Sequence, residues 1–295
     1  MKANYILVLL ASSLLASCSK EEDTTPSYAD QAVFAPLDSD MSETARIRRD
    51  FYETTGTYLL FTDTLRTVTS GIGFDGKPVE KTELLDVMGY AMIGYGSTTK
   101  YIYDYITDPE EQQMAVELIR ENLIWRMGKA LPYSFFLVNK ITHWDSSKKS
   151  YVADTKLLGL RAYAISLNDG EAFADPDAYF NNMIADMVRT KVQTMGEEEL
   201  ASFYDISRSY YYEDKTEFGL PATYSSDTEM WNYGFFMDVY GHSFPDSAYD
   251  LRAWLTAVIT YSREQFEAKY GTSAVMMSKF DALSGIVSDL GYVLQ

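Results

Sequence analysis

Asp175-Pro176-Asp177-Ala178-Tyr179-Phe180-Asn181-Asn182-Met183-Ile184-Ala185-Asp186-Met187-Val188 begins with a helix cap followed by a proline at the first helical position. Phe180, Met183, Ile184, Met187 and Val188 then recur at i, i+3, i+4, i+7 and i+8, the spacing of one apolar helix face turned to a core. Asn182 and Asp186 stand one turn apart on the opposite, polar side. Asp108-Pro109-Glu110-Glu111 repeats the start, with acids at the positive end of the helix dipole. That helix is expected to reach Gly128, with Met114, Leu118, Leu123 and Trp125 on its apolar side. Ser42 caps another helix to about Thr54, stopped by Gly56.

Between these helices lie strand formers: Thr57 to Thr62, Tyr133 to Val138 and Leu160 to Ile165. Asp75-Gly76 signals a hairpin turn, and Ser146-Ser147-Lys148-Lys149 is a polar connection. Glu197-Glu198-Glu199 opens a further helix, and about Tyr212 to Ser247 is loop-rich. Leu251, Trp254, Leu255 and Val258 predict one long helix ending near Gly271, and Val275 to Leu290 a final one. Strands early and helices late imply an α+β fold, a small early sheet followed by a helix-rich C-terminal half. No fixed-period repeat or internal linker divides the chain, so residues 37–295 are expected to form a single domain.

The 295 residues carry 25 Lys+Arg against 43 Asp+Glu, a net charge of -18, which argues against a nucleic-acid partner because a phosphate backbone needs a basic patch. One cysteine and two histidines exclude an internal disulfide and a cysteine-cluster zinc site. The start of the chain carries an address. Lys2 precedes an apolar run from Ile6 to Leu15, too short to span a membrane, and Leu15-Ala16-Ser17-Cys18 resembles the lipobox of bacterial lipoproteins. The resemblance implies a signal peptide over 1–17 and acylation of Cys18. Ser19-Lys20-Glu21-Glu22-Asp23 resembles the acidic export signal of surface lipoproteins of Bacteroidota, so 18–36 is expected to be an acidic, flexible tether. The implied location is the outer membrane, lipid-anchored and facing the exterior, with the lipid supplying the anchoring.

Three further segments act together: Phe51-Tyr52-Glu53-Thr54-Thr55-Gly56-Thr57-Tyr58-Leu59-Leu60-Phe61; Gly234-Phe235-Phe236 with Tyr240 and Asp250-Leu251-Arg252-Ala253-Trp254-Leu255; and Phe266-Glu267-Ala268-Lys269-Tyr270-Gly271. Their order resembles the zinc-binding metallopeptidase-like lipoproteins of Bacteroidota, which look like gluzincins and carry an H-E-x-x-H helix. The resemblance implies a zincin-like domain. In that motif two histidines one turn apart bind zinc and the glutamate between them is the general base. No such histidine pair exists here. The best register lays Asn182 and Asp186 over the histidines, Met183 over the glutamate, and Ala253 over the family's third ligand. A thioether accepts no proton from water, and an amide with one carboxylate is a poor zinc site. No catalytic residue, metal ligand or cofactor is therefore expected. The chain is expected to act by binding a protein, peptide or glycan at the cell surface, accessory to nutrient uptake. The alternatives are a metal-dependent hydrolase with a noncanonical site and a carbohydrate-binding lipoprotein.

Other constellations carry less. His143 beside Trp144 and Asp145 lacks a converging nucleophile, and His242 near Asp246 and Asp250 is a weak cation candidate. With 43 acids, carboxylate pairs carry no information about glycoside hydrolysis. Gly71, Gly73 and Gly76 make no phosphate loop, and Asp38 with Asp40 makes no calcium loop. Among 24 tyrosines, Tyr210-Tyr211-Tyr212 and Trp231 are the candidate contact surface, since exposed tyrosine offers a flat apolar face with a hydroxyl.

Overall fold

The computed structural model describes residues 32–88, 99–223, 225–238 and 241–294. The lipidation position Cys18, the signal peptide and most of the tether lie outside the described residues, as does Tyr240. The chain divides into Met1–Val33 and a compact unit, Phe34–Gln295. That unit starts three residues ahead of the expected boundary at Leu37. Phe34 is buried, meets Tyr133 edge-on at 5.1 Å, and its carbonyl accepts a hydrogen bond of 2.7 Å from Arg48.

The described strands form a mixed six-stranded sheet and a separate hairpin. Strand β1 (Tyr58–Leu60) is followed by β2 (Thr64–Ile72), β3 (Pro78–Leu84) and β4 (Tyr101–Tyr105). After these come β5 (Ser134–Asp145), β6 (Ser150–Asp154), β7 (Lys156–Leu158) and β8 (Tyr163–Ser166). The 12-residue β5 organises the large sheet. Its first half, Ser134 to Val138, is an unbroken buried run, the pattern of a strand covered on both faces. It lies parallel to β1 and β8, and β7 closes that side antiparallel to β8. The second half of β5 pairs antiparallel with β4 and β6. Among the described residues, strands β2 and β3 pair only with each other, around a tip where Gly76 takes a φ of +74°. This left-handed turn is what Asp75-Gly76 signals.

Helix α1 (Glu43–Thr55) is capped by Ser42 and stopped by Gly56, as its sequence predicts. Helix α2 (Pro109–Ile119) is capped by Asp108, whose carboxylate accepts from the amides of Glu110 and Glu111. It passes through a π-helical turn, Arg120–Ile124, into a last turn at Trp125–Met127. Its buried face is Gln112, Ala115, Val116, Leu118 and Ile119, with Leu123 beyond; Met114 and Trp125 are exposed rather than core-facing. Helix α3 (Pro176–Val192) buries the predicted stripe.

The long helix expected before Gly271 is two, α4 (Ser247–Thr260) and α5 (Arg263–Tyr270). Tyr261 is extended, and Ser262 with Gln265 forms a reciprocal capping box that starts a new helix. Helix α6 (Ala274–Asp289) closes the fold. Helix α3 packs on α4 over one core that includes Phe51, Phe135, Phe180, Trp254 and Phe266. Met230, Phe235 and Phe244 anchor a second, smaller cluster under the loop-rich segment. The architecture is mixed α/β with a small sheet. Among the described residues, no helix is long and apolar enough to cross a membrane.

Candidate functional site

Helix α3 sits where it does because Asp175 accepts from the amide of Ala178 and Pro176 fixes the first turn, leaving the apolar stripe to face the core. Asn182 is exposed on the outer side. Met183 is 2% exposed and packed among core side chains. The Asp186 carboxylate is shared by two cations: Lys156 of edge strand β7 at 2.9 Å and Arg189 at 2.8 Å. Ala253 lies on α4, on the walls of two hollows shared with Phe236, neither of which includes Asn182, Met183 or Asp186. The four positions therefore do not surround one cleft. Among the described residues, no group of three His, Cys, Asp or Glu side chains is arranged to hold a metal ion.

The aromatic candidates separate. Tyr210 is half-buried, edge-on to Tyr233 at 5.0 Å and to Phe218 at 5.2 Å. Tyr211 turns its hydroxyl inward and donates to Asp250 at 2.7 Å. Trp231 packs on Tyr270 and donates to the carbonyl of Phe236. Tyr212 is 70% exposed, so of the four it alone presents most of its ring to solvent. The residues share no common face because Tyr210 and Tyr211 pack with the small cluster while Trp231 packs with the main core.

His143 lies within β5, and its partner is Asp154 across the ladder, with Nδ1 2.5 Å from the carboxylate, rather than the adjacent Asp145. Around His242 the acids have other partners. Asp246 caps α4 through the amide of Tyr249, and Asp250 faces Lys279. The three do not assemble around a cation.

Two features went unpredicted. The first is a buried charge cluster. The Lys279 ammonium donates to Asp250 at 2.5 Å, to the Ser207 hydroxyl at 3.0 Å and to the Gly234 carbonyl at 3.1 Å. The rings of Phe203, Tyr211, Phe235 and Trp254 surround it at 4.6–5.8 Å. Burial pushes the Asp250 carboxyl up and the Lys279 ammonium down, each against the pull of the other's charge. Burial, then the Asp250 charge, also raises the Tyr211 phenol. A lysine beside a serine has the look of a nucleophile with its base. Here the Ser207 hydroxyl donates to the Tyr233 carbonyl, and both Ser207 and Lys279 are 0% exposed, so no substrate reaches them. The cluster ties the loop-rich segment to α4 and α6. A charge at an apolar-stripe position was the available signal: Lys279 falls in line with Met276 and Leu283.

The second is a cleft of about 430 Å³ between the C-terminal end of α3, the first turns of α4 and the segment from Met195 to Tyr211. Val192, Leu200, Leu251 and Leu255 make its apolar wall, and Arg189, Arg208 and Arg252 supply guanidinium groups. Arg189 and Gln193 continue the face of Asn182 and Asp186 at i+7 and i+11, so the polar side of α3 leads into this cleft. No family model matches the chain, and no curated protein or solved structure matches it significantly.

Proposed function

We propose that the chain is a lipoprotein, acylated at Cys18 and carried on the outer face of the outer membrane, whose zincin-like domain binds rather than cleaves. The observation that carries the reading is the condition of the two positions that would do the chemistry. Met183, in register with the general base, is buried in the core and has no proton-accepting group. Asp186, in register with a ligand, already accepts from Lys156 and Arg189, so coordinating a metal would break two charge-assisted contacts. Helix α3 packs on α4, which carries Ala253, although the four positions line no common cleft. The work left to such a scaffold is recognition, and service to a nutrient-uptake system is the role its family resemblance suggests.

Metal analysis of the purified chain after growth with added zinc tests the non-catalytic reading. Substoichiometric metal and no chelator-sensitive peptide cleavage are expected. One tightly held zinc per chain, lost together with cleavage on chelation, would overturn it. The address is tested separately: labelled palmitate should enter the wild-type chain and not Cys18→Ser, and external protease should remove the domain from intact cells.

A further inference from the structure

We infer that the cleft between α3 and α4 is a binding site for an organic carboxylate carried on an apolar body. The inference rests on the reading of the chain as a binding protein and names the ligand class. Its volume, about 430 Å³, falls within the range of small-molecule sites, and its wall of Val192, Leu200, Leu251 and Leu255 suits an aliphatic or aromatic group. The charged side is uneven. Arg208 is spent: it donates to Asp205 at 2.6 Å and also to Glu197, which together outweigh its charge. Across the cleft the balance reverses. Lys156 and Arg189 share the single carboxylate of Asp186, leaving one positive charge over. Arg189 lines the cleft, and its Nη1 is the donor engaged with Asp186. Arg252, exposed at the mouth, has no ion pair among them.

Two guanidinium groups with unused donors therefore stand over an apolar wall, in a chain whose net charge is -18. A planar carboxylate matches the guanidinium fork, and a partly desolvated cleft strengthens the contact. A ligand whose charge is only positive would be repelled by the same groups, and a neutral sugar would leave them unmatched. The shared chemistry has two sources, the free C-terminus of a hydrophobic peptide and a short fatty acid.

The test is calorimetric titration of the full-length chain carrying Cys18→Ser, so that no acyl group interferes, with three probes: the dipeptide Leu-Phe, its C-terminal amide, and hexanoate. Saturable binding of Leu-Phe or hexanoate is expected, with the amide about tenfold weaker or worse, the loss of one charge-assisted contact. Arg252→Gln, which removes a solvent-facing charge without touching the core, should weaken the acid by about tenfold and leave the amide unchanged. Ala248→Trp, at the exposed mouth, should block both. Preference between Leu-Phe and hexanoate identifies the source. Equal affinity for acid and amide, no binding of either acid, or an Arg252→Gln chain that binds Leu-Phe as the wild type does would overturn the site. Mass analysis of the recovered dipeptide keeps the two readings apart. Cleavage to Leu and Phe would sink the non-catalytic reading, whereas intact, unbound dipeptide sinks only the carboxylate site.

Discussion

The ammonium of Lys279 sits among four aromatic rings with Asp250 as its counter-ion, and neither residue is more than 2% exposed. Desolvating two charges costs several kcal/mol each, and mutual attraction offsets this only while every donor and acceptor is matched. Lys279→Met strands the carboxylate and is expected to lose about 3–5 kcal/mol in urea unfolding. Lys279→Met with Asp250→Leu is expected to lie closer to wild type than either single change. Trp254 Nε1 still donates to the Gly234 carbonyl at 3.0 Å and Ser207 to Tyr233, and the half-buried Tyr211 hydroxyl alone loses its Asp250 acceptor. Strict additivity of the two single losses would show that the charges are not coupled. At this scale the sequence marks that something is unusual but not what answers it. Lys279 visibly interrupts an apolar stripe, yet Asp250 stands 29 positions away and only the packing of α4 on α6 brings them together. His143 shows the same limit, since its carboxylate partner depends on a strand register that no local pattern specifies.

Helices and turns whose causes are local obey their sequence. Ser42, Asp108 and Asp175 cap the helices they precede, because a side-chain oxygen and a free amide two or three residues on are all the interaction needs. Strands β6 and β7 escape notice because they are short pieces, five and three residues, held by pairing with β5 and β8. The break between α4 and α5 is hidden because apolar spacing continues through it, although Ser262 and Gln265 spell a capping box. Ser262→Ala should therefore cost about 1 kcal/mol in thermal or urea unfolding, and Ser262→Asp much less. Hairpin β2–β3 is thinly supported: among the described residues its strands pair only with each other, and Ile72 and Phe74 near the tip are exposed. Thr67 and Thr82 face each other in the ladder. Replacing Val68–Lys81 by Asn-Gly, a two-residue turn compatible with that pair, should shift unfolding of the body by no more than about 0.5 kcal/mol. A loss of several kcal/mol would mean that the hairpin braces the sheet.

For the molecule as a whole, partly buried tyrosines couple the fold to alkaline pH. Tyr58 is pushed up to about 12, first by its hydrogen bond with Tyr52, and Tyr105 to about 12 by burial and then by Asp63. Burial raises Tyr101, Tyr103, Tyr163, Tyr179, Tyr204, Tyr211 and Tyr292 as well. These residues are spread from the sheet to the last turn of the chain, so their ionisation is opposed by the fold at many points together. An unfolded tyrosine titrates near 10. The folded chain then holds more protons than the unfolded chain above that pH. Its stability is fully present below pH 10 and falls as pH rises from 10 towards 12. Tyrosinate absorbance and circular dichroism, followed together, should show the raised phenols ionising in step with the loss of the dichroic signal. Complete titration centred at 10 with the helical signal intact would mean that the phenols are not buried as the fold has them, and the aromatic clusters around Tyr103 and Tyr211 would have to be redrawn.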